Sequence, residues 1–326
     1  APAPAPPVER TGDVPSAPAD CVIEIGTEEL PPQDVTSTSR QFYDAVDALL
    51  KAEGLTHEGI SVGATPRRFA LTVKALSAGQ PNVEERVRGP PLSRAFEEDG
   101  VTPGKAALGF CKKNGIDASE LEKDGEYVWA VVKKEGRSTV AVLEEALPKI
   151  IAGINFSKAM RWITNSDVTF SRPMRWLFAV HGDHHLSFEA LGVPSGATTR
   201  LLRTRGDVSD THVAANAAEY HALLAKDAIV AEYEARVSKI WSEAKDAAKS
   251  VGGDIPESAR EGLLEEVANL VEAPNLVMGD FEETLLALPK EVLVMVMRKH
   301  QRYFPVENAD GSLKPHFITF ANGPCD

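Results

Sequence analysis

Residues 21–32 read CVIEIGTEELPP, and this stretch marks the start of the folded chain. Its first half, CVIEIG, is a short apolar run typical of a β-strand, and the prolines that follow EEL end that strand. Directly downstream, four apolar residues recur at the spacing of one helix face: Phe42, Val46, Leu49 and Leu50. A strand followed by an amphipathic helix therefore opens the folded region.

Strand and helix patterns continue downstream without a regular βαβ repeat. Alternating apolar residues predict strands within 68–76, 127–134 and 176–182, and apolar positions between 143 and 154 predict a second helix. This mixture favours the α+β class, with a mixed sheet and packed helices, over a doubly wound parallel sheet.

From about residue 210 the pattern becomes helical and acidic. Seven apolar or aromatic residues between 233 and 251 keep helical spacing, which predicts one long amphipathic helix. Further helices follow, and a strand is predicted at 317–320. We therefore predict four segments: a disordered Ala/Pro-rich linker or tail at 1–20, an α+β domain with a basic and aromatic face at 21–205, an acidic helical segment at 206–290, and a helix plus a strand returning to the α+β body at 291–326.

The bulk composition narrows the class of protein. Hydrophobic residues make up 43% of the chain and charged residues 25%, which are ordinary values for a globular protein. No apolar run approaches the ~20 residues of a membrane helix, so we expect no membrane span. The three cysteines form no CxxC pair, which argues for a reducing compartment and against a disulfide scaffold or a thiolate zinc site.

The net charge of −13 by itself argues against a nucleic-acid partner, but the charge is unevenly distributed along the chain. Residues 158–205 contain seven Lys/Arg against three Asp/Glu, a balance of +4. Residues 206–290 contain seven Lys/Arg against seventeen Asp/Glu, a balance of −10. Because the acid is concentrated in one stretch, a basic face elsewhere remains possible.

Two short motifs carry charged residues near the predicted strands. Glu24, Glu28 and Glu29 lie in EIGTEELPP. They fit acid–base or metal chemistry, or a simple interaction of Glu28 and Glu29 with a helix N-terminus. Arg67 and Arg68 in ATPRRF either grip a phosphate or carboxylate or form a solvated surface pair. Residue type alone leaves these alternatives open.

The richest stretch is KAMRWITNSDVTFSRPMRWLFAVHG, in which Arg-Trp occurs at 161–162 and again at 175–176, with Arg172 between them. Such a pattern suits RNA, since guanidinium groups contact phosphates and rings stack on bases. It also describes a buried Trp beside an Arg whose charged end reaches solvent. Downstream, MRKHQRYFPV at 297–306 places four cations at a helix end, which suits the helix dipole or a second RNA contact.

The motif HGDHH places three histidines at 181–185. No carboxylate pattern accompanies them, so we expect an exposed turn rather than a metal site. The sequence has no GxxxxGK[ST] phosphate loop, no GxSxG elbow and no HExxH pair. We therefore predict no catalytic residue and no metal ligand in this chain.

Eight sequence blocks follow one another along the chain: EIGTEELPP, ATPRR, RGP, KAMRW, SDVTFSRPMRWL, SGATTR, HQRYFPV and FITFAN. In this order and spacing they resemble the N-terminal portion of the β subunit of bacterial-type glycyl-tRNA synthetase, from Cys21 to the end. One segment departs from the family. After SGATTR the family usually continues with Gly, His, Arg and Phe, whereas this chain continues with LLRT and shares only Arg203, which leaves the local role of 200–205 open.

The resemblance implies an enzyme of two α and two β chains. The α chain would hold the class II catalytic site for glycine, ATP and Mg²⁺, and the β chain would supply tRNA recognition and assembly. The expected partners are therefore the α subunit, or a fused α domain, and tRNA(Gly), with no cofactor in this chain. Some plastid and bacterial versions fuse the two subunits, so we expect a plastid or mitochondrial stroma or matrix in a eukaryote and the cytoplasm otherwise. The family's β chain continues into an HD-type domain and an anticodon-binding domain.

We predict tRNA-binding or inter-domain contacts for nine cations: Arg67, Arg68, Arg161, Arg172, Arg175, Arg200, Arg298, Lys299 and Arg302. Two other functions remain open. One is a truncated β-subunit relative that serves as a structural or RNA-binding component of a larger complex. The other is a hydrolase that edits mischarged tRNA, which rests only on the carboxylates of EIGTEE.

Overall fold

The computed structural model describes residues 12–97, 99, 101–162, 169–203 and 211–324, with the backbone alone at 133 and 134. They belong to two compact units. The first joins the chain up to residue 78 with the chain from residue 140 onward, and the second is Gly79–Thr139. The predicted four-segment division has no boundary at either position, because the second unit carries the same mixture of strand and helix patterns as its surroundings. Most of the predicted tail, 1–11, lies outside the described residues.

Strands and helices are interspersed along the whole described chain. The strands are β1 (Ala19–Thr27), β2 (Gly59–Thr65), β3 (Arg68–Leu76), β4 (Val83–Pro91), β5 (Leu121–Asp124), β6 (Tyr127–Lys134), β7 (Met174–His181), β8 (His184–His185), β9 (Glu189–Ala190), β10 (Val193–Gly196), β11 (Thr198–Thr199), β12 (His212–Val213), β13 (Pro274–Asp280), β14 (Phe304–Glu307) and β15 (Leu313–Asn322). The α-helices are α1 (Pro32–Ala52), α2 (Leu92–Ala95), α3 (Lys105–Asn114), α4 (Thr139–Ala152), α5 (Ala217–Lys226), α6 (Tyr233–Ser250), α7 (Glu265–Ala268) and α8 (Lys290–Met295). Shorter helical turns lie at Ala118–Glu120, Glu257–Ala259, Arg260–Leu264, Glu283–Ala287 and Val296–Gln301. This mixture confirms the predicted α+β class.

β1 lies inside the main sheet of the first unit, whose order is β2-β3-β1-β7-β10-β9 with β8 paired to β7. Its neighbours β3 and β7 both run antiparallel to it, so that Ile23 is opposite Leu71 on one side and Ala179 on the other. One face of β1 packs against α1 and α4, and the opposite face packs through Val22 against α5. Because both faces are buried, the strand is a nearly continuous apolar run.

Helix α1 confirms the helix predicted from apolar spacing. Phe42, Val46 and Leu50 are completely buried against the sheet. Burial of each such side chain contributes about 1.5–3 kcal/mol. The helix begins at Pro32, where a missing N–H costs nothing, and it ends just before Gly54, which has a φ of +65°.

A second sheet in the first unit has the order β13-β15-β14. Ile240 and Ala244 of α6 pack in one core with Phe304 and Ile318 of this sheet, and α6 confirms the long helix that was predicted. The strand predicted at 317–320 is part of β15, and it pairs with β13 and β14 rather than returning to the main sheet. β13 itself lies in the stretch predicted as helical, since a short apolar run does not distinguish a strand from a helix.

Arg236 fastens α6 to the main sheet. It is buried, and its guanidinium donates at 2.6–3.1 Å to four backbone carbonyls, those of Ala64, Val230, Ala231 and Ala268. Burial lowers the pKa of Arg236 to about 10, which keeps the side chain protonated at neutral pH. The helix is thus attached by charge-assisted hydrogen bonds as well as by apolar packing.

The second unit is a three-stranded antiparallel sheet of order β4-β6-β5 that packs on α2 and α3. Its small core contains Ala95, Ala107 and Val128. In both units taken together, the described helices include none that combines the length and the apolar character needed to cross a bilayer.

Candidate functional site

A buried ion-pair cluster is built from the motifs EIGTEELPP and ATPRR. Arg68 donates from Nη1 to Oε1 of Glu24 and from Nε to Oε1 of Glu272, each at 2.8 Å. None of these three side chains has any exposed surface. Thr199 Oγ1 donates to Glu24 at 2.6 Å, and Thr65 Oγ1 donates to Glu272 at 2.7 Å. We call these five residues the buried cluster.

Strand alternation explains why a carboxylate points into the core at this position. Ile23 and Ile25 face α1 and α4, so Glu24 between them faces the opposite side of β1. There it lies in register with Ala70 of β3 and Phe178 of β7. A charge at such a site is tolerated only when an opposite charge and hydrogen bonds compensate it.

Arg67 joins the buried cluster at its edge. Its side chain is 4% exposed, and Nη1 donates to Oε2 of Glu272 at 3.4 Å and to the carbonyl of Leu201 at 3.2 Å. Burial alone would raise the pKa of Glu272, but the charges of Arg68 and Arg67 outweigh burial and lower it. Burial alone would lower the pKa of Arg68, and the two carboxylates outweigh it and raise that pKa. Glu272 and Arg68 therefore each favour the ionised form.

Trp176 of β7 forms the floor under three arginines. The guanidinium carbons of Arg67, Arg68 and Arg200 lie 5.8, 5.6 and 5.5 Å from its ring centre. Gly26 of β1 is in register with Trp176, and a Cβ atom at Gly26 would come within 2.0 Å of the indole ring. The Trp of the second Arg-Trp pair is therefore buried. This agrees with the interpretation of the pattern as a buried Trp beside an Arg.

Three arginines at the surface of the buried cluster, Arg175, Arg200 and Arg203, form what we call the arginine rim. Glu28 accepts hydrogen bonds from Arg175 Nε, at 2.6 Å, and from Arg203 Nη2. Burial alone would raise the pKa of Glu28, but the hydrogen bonds from Arg203 and Arg175 lower it. Arg175 and Arg203 remain 42% and 39% exposed. The rim thus offers partly neutralised guanidinium groups to solvent.

Arg172 and Arg161 precede the rim in the chain. Arg172 is half-buried and donates to the carbonyl of Ser171 at 2.9 Å, while Arg161 is exposed. Trp162 is 43% exposed and donates from Nε1 to the carbonyl of Phe170 at 2.9 Å. Residues 163–168 of this stretch lie outside the described residues.

The cations of MRKHQRYFPV are mostly engaged within the chain. Arg298 Nη2 donates to the carbonyls of Ser258 and Glu261 at 2.9 and 3.2 Å. Arg302 pairs with Glu266 at 2.7 Å. Lys299 is exposed to solvent. Of this group, Lys299 and His300 are the exposed members.

These positions divide the nine predicted cations. Arg68 has no exposed surface and Arg67 almost none, so neither side chain reaches a phosphate in this conformation. Both instead tie the predicted 21–205 segment to Glu272 of the 206–290 segment. Since Arg67, Arg68 and Glu272 all belong to the first unit, these contacts are internal to that unit and do not join two domains. Linear sequence did not predict this buried pairing, since Glu272 is 204 residues from Arg68.

The exposed turn expected for the histidines is confirmed only at Gly182 and Asp183, and the expected exposure of the histidines is wrong for His181 and His185. His181 is completely buried, with Nε2 hydrogen-bonded to the carbonyl of Leu76 at 3.1 Å, and His185 is 6% exposed beside the carbonyl of Ala214. They belong to β7 and β8, where pairing in the main sheet covers them. Within the described part of the chain, no group of three or more His, Cys, Asp and Glu side chains is placed to hold a metal ion.

Sequence reasoning missed a second set of Arg–aromatic pairs, in the second unit. Arg86 lies over Trp129 and Arg88 lies over Tyr127, on neighbouring strands. The partners of each pair are far apart in the sequence, so they form no local motif. The alternation of RVR in β4 with YVW in β6 is the signal from which the pairing could have been found.

Comparison with known proteins now defines the class. A family model described as glycyl-tRNA synthetase beta subunit matches residues 21–326. The chain belongs to this family.

Individual relatives agree with the family match. The chain is 43% identical over 310 residues to glycine–tRNA ligase, chloroplastic/mitochondrial 2, of Arabidopsis thaliana, covering 94% of this chain and 28% of that protein. It is 40% identical over 306 residues to the glycine–tRNA ligase beta subunit of Shouchella clausii, covering 93% and 43%. The corresponding beta subunit of Moorella thermoacetica is 36% identical over 311 residues, covering 94% and 44%. The chain therefore spans less than half the length of these relatives.

Proposed function

We propose that this chain is the tRNA-binding and assembly portion of a glycine–tRNA ligase. In this role it supports the ATP-dependent charging of tRNA with glycine, while an α subunit or fused α domain supplies the catalytic site, ATP and Mg²⁺. The observation that carries the proposal is the family match, which extends over the whole of residues 21–326. The chain's own part would be to hold tRNA(Gly) and to assemble a hetero-oligomer.

The arginine rim supports the tRNA half of this proposal. Arg175 and Arg203 expose guanidinium groups, and Arg161 and Lys299 are exposed elsewhere on the first unit. Guanidinium groups bind phosphate oxygens through paired N–H donors. Arg67 and Arg68 act behind the rim, as the internal support that holds Trp176 and the neighbouring strands in place.

The carboxylates of EIGTEE give little support to an editing hydrolase. Glu24 and Glu28 both lie in ion pairs with arginines, and the pKa of Glu28 is lowered by its two partners. A general acid at neutral pH needs a pKa shifted in the opposite direction. We therefore assign these side chains to positioning of the arginines.

Two measurements on the purified chain test the proposal. We expect no glycine-dependent ATP–pyrophosphate exchange by this chain alone, and exchange in a preparation free of α chain would refute the assignment. We also expect tRNA binding that weakens steeply with salt, because each phosphate contact releases counterions. Binding that stays flat from low to moderate salt would leave only the assembly role.

Single substitutions locate the contacts. Arg175→Gln and Arg203→Gln should each lower tRNA affinity and reduce the slope of log K against log[salt] by about 1. Arg40→Gln is the matched control, since it removes the same charge from a side chain that is 80% exposed on α1. Glu28→Gln should raise affinity, because it removes a negative charge and releases two guanidinium groups. A loss of affinity on Glu28→Gln would contradict phosphate binding at the rim.

The compartment and the partner follow from the relatives in the same proposal. The Arabidopsis thaliana relative is chloroplastic/mitochondrial by name, and the bacterial relatives are beta subunits. We propose an organellar location in a eukaryote and the cytoplasm in a bacterium. Co-purification from the native source, followed by intact-mass measurement, tests whether an α chain accompanies this one or is fused to it.

A further inference from the structure

The exposed face of the sheet in the second unit carries a repeated stacking arrangement. Val128 and Ala130 of β6 point into the core of that unit, so Tyr127 and Trp129 point to the opposite face. On the neighbouring strand β4, Arg88 is in register with Trp129. Each arginine reaches diagonally to a ring: Arg86 Cζ lies 4.9 Å from the centre of Trp129, and Arg88 Cζ lies 4.7 Å from the centre of Tyr127. We call these the stacked pairs.

The orientation of Arg86 is fixed from two directions. Its guanidinium lies over Trp129 of β6, and Nη2 donates to Glu122 at 3.2 Å and to Asp124 at 2.9 Å on β5, the strand on the far side of β6. The Arg86 side chain is still 47% exposed. The two carboxylates therefore hold the guanidinium at its edge, and the flat face of the guanidinium above the Trp129 ring remains accessible.

The two stacked pairs are spaced to hold two bases that lie two stacking steps apart. Residues i and i+2 of a strand lie about 6.6 Å apart, roughly twice the ~3.4 Å separation of stacked bases. Bases stack on aromatic rings and also on guanidinium planes. A duplex hides its base faces, so this arrangement suits unpaired nucleotides.

We infer that the stacked pairs form a binding site for an unpaired segment of RNA. The inference rests on the proposed function, which brings tRNA to this chain, and it adds a site in a different unit from the arginine rim. Glu122 and Asp124 are 54% and 56% exposed beside Arg86, and their charges repel phosphates. The site therefore recognises base faces, whereas the rim recognises the backbone.

Fluorescence anisotropy with the 326-residue chain tests this site. The probes are tRNA(Gly), a labelled ten-nucleotide oligouridine and an RNA duplex of equal length. Trp129→Ala and Tyr127→Ala should each weaken oligouridine binding by roughly 5- to 150-fold, the range of one lost base stack. Trp129→Phe should restore most of the affinity, since it keeps a flat ring and preserves the fold. Val131→Ala is the matched control: it truncates the next side chain on the same face of β6, which offers no ring.

Salt dependence separates this site from the rim. Trp129→Ala should lower affinity without changing the slope of log K against log[salt], because stacking releases no counterions. A slope reduced by about 1, as expected for a lost phosphate contact, would overturn the assignment to base faces.

The remaining outcomes distinguish the inference from the proposed function. If the chain binds tRNA and oligouridine but Trp129→Ala and Tyr127→Ala leave both affinities unchanged, the site is refuted and the proposed function stands. If the unaltered chain binds neither RNA, the proposed function fails and the inference fails with it. If Trp129→Ala and Tyr127→Ala leave RNA binding unchanged but no longer retain a co-purifying α chain, the stacked pairs form a protein interface and the RNA assignment is wrong.

Discussion

Glu272→Gln should destabilise the first unit far more than an ordinary loss of one charge. Glu272 is completely buried and accepts hydrogen bonds from Thr65 at 2.7 Å, Arg68 at 2.8 Å and Arg67 at 3.4 Å. Glutamine keeps the size of the side chain, but it has no charge and turns an N–H group toward one of its former donors. Breaking a buried ion pair from one side costs about 3–5 kcal/mol, and the retained carbonyl oxygen places this substitution near 3 kcal/mol.

The assay is urea unfolding at neutral pH, followed by tryptophan fluorescence in a Trp129→Phe background. This background removes the one tryptophan of the second unit, so that the signal reports on the first unit. The matched control is Glu266→Gln, which removes a carboxylate from a pair with Arg302 in which both side chains are 35% exposed. Such a half-exposed pair contributes at most about 1 kcal/mol.

The stability lost in Glu272→Gln should depend on pH, and the direction of this dependence follows from the pKa of Glu272. The pKa of Glu272 is lowered in the folded protein from its ordinary value of 4.5. A carboxyl of this kind stabilises the fold above its unfolded-state pKa, and the contribution is lost as the pH falls through the lower, folded-state pKa. The stability difference between the unaltered chain and Glu272→Gln should therefore be largest at neutral pH and shrink below about pH 4.5.

Two results would refute this reasoning. One is a loss for Glu272→Gln no greater than that for Glu266→Gln, which would mean that the buried cluster stabilises no more than a surface pair. The other is a difference that grows as the solution is acidified, since that requires a raised carboxyl pKa in the folded state.

Three further predictions concern other parts of the first unit. Gly26→Ala should destabilise it by about 1–3 kcal/mol in urea unfolding, because the new methyl group meets the ring of Trp176. The control is Gly59→Ala, which should change stability by less than about 0.5 kcal/mol because nothing lies within 4 Å of a Cβ at that position. Arg236→Met should cost several kcal/mol by the same assay, since it removes the guanidinium donor from four backbone carbonyls, of which that of Ala231 keeps the N–H of Ala64, at ~1–3 kcal/mol for each carbonyl left unsatisfied; a variant as stable as the unaltered chain would contradict the role assigned to Arg236. Burial raises the pKa of Cys21 to about 12, so a thiol reagent at pH 8 should modify Cys21 only in urea, as mass spectrometry of digested samples would reveal.

Local periodicity was sufficient to predict the elements that surround the buried cluster. The apolar run of β1 and the spacing of Phe42, Val46 and Leu50 identify a strand and a helix because each pattern lies within a few turns or residues of chain. The boundary of the second unit could not be read in this way, since β4 and β6 look like any other strands of an α+β domain. Only the pairing of β6 with β4 on one side and β5 on the other separates these strands from the main sheet.

The role of a charged residue was harder to predict than its presence. Arg68 and Arg175 both lie at the start of a strand, and both have partners in EIGTEELPP, yet one is fully buried and the other is 42% exposed. The difference in burial follows from a second carboxylate partner for Arg68. This partner is Glu272, which lies 204 residues downstream. No spacing rule connects residues so far apart, and the linear pattern therefore suggests RNA binding for both.

Four of the eight family blocks quoted from the sequence meet at one place in the structure. EIGTEELPP contributes Glu24 and Glu28, ATPRR contributes Arg68, SRPMRW contributes Trp176, and SGATTR contributes Thr199. Four separated motifs thus supply a buried cluster and the rim above it. The two layers should respond differently to substitution. A change in the buried cluster should lower tRNA binding only as far as it unfolds the first unit, whereas a change in the rim should lower tRNA binding while the free energy of unfolding stays nearly constant. Both quantities, tRNA affinity and the free energy of unfolding, should be measured on Glu272→Gln and Arg175→Gln. If Glu272→Gln weakens tRNA binding without loss of stability, the buried cluster does not have the role assigned to it. If Arg175→Gln weakens tRNA binding only in step with a loss of stability, the rim does not have the role assigned to it.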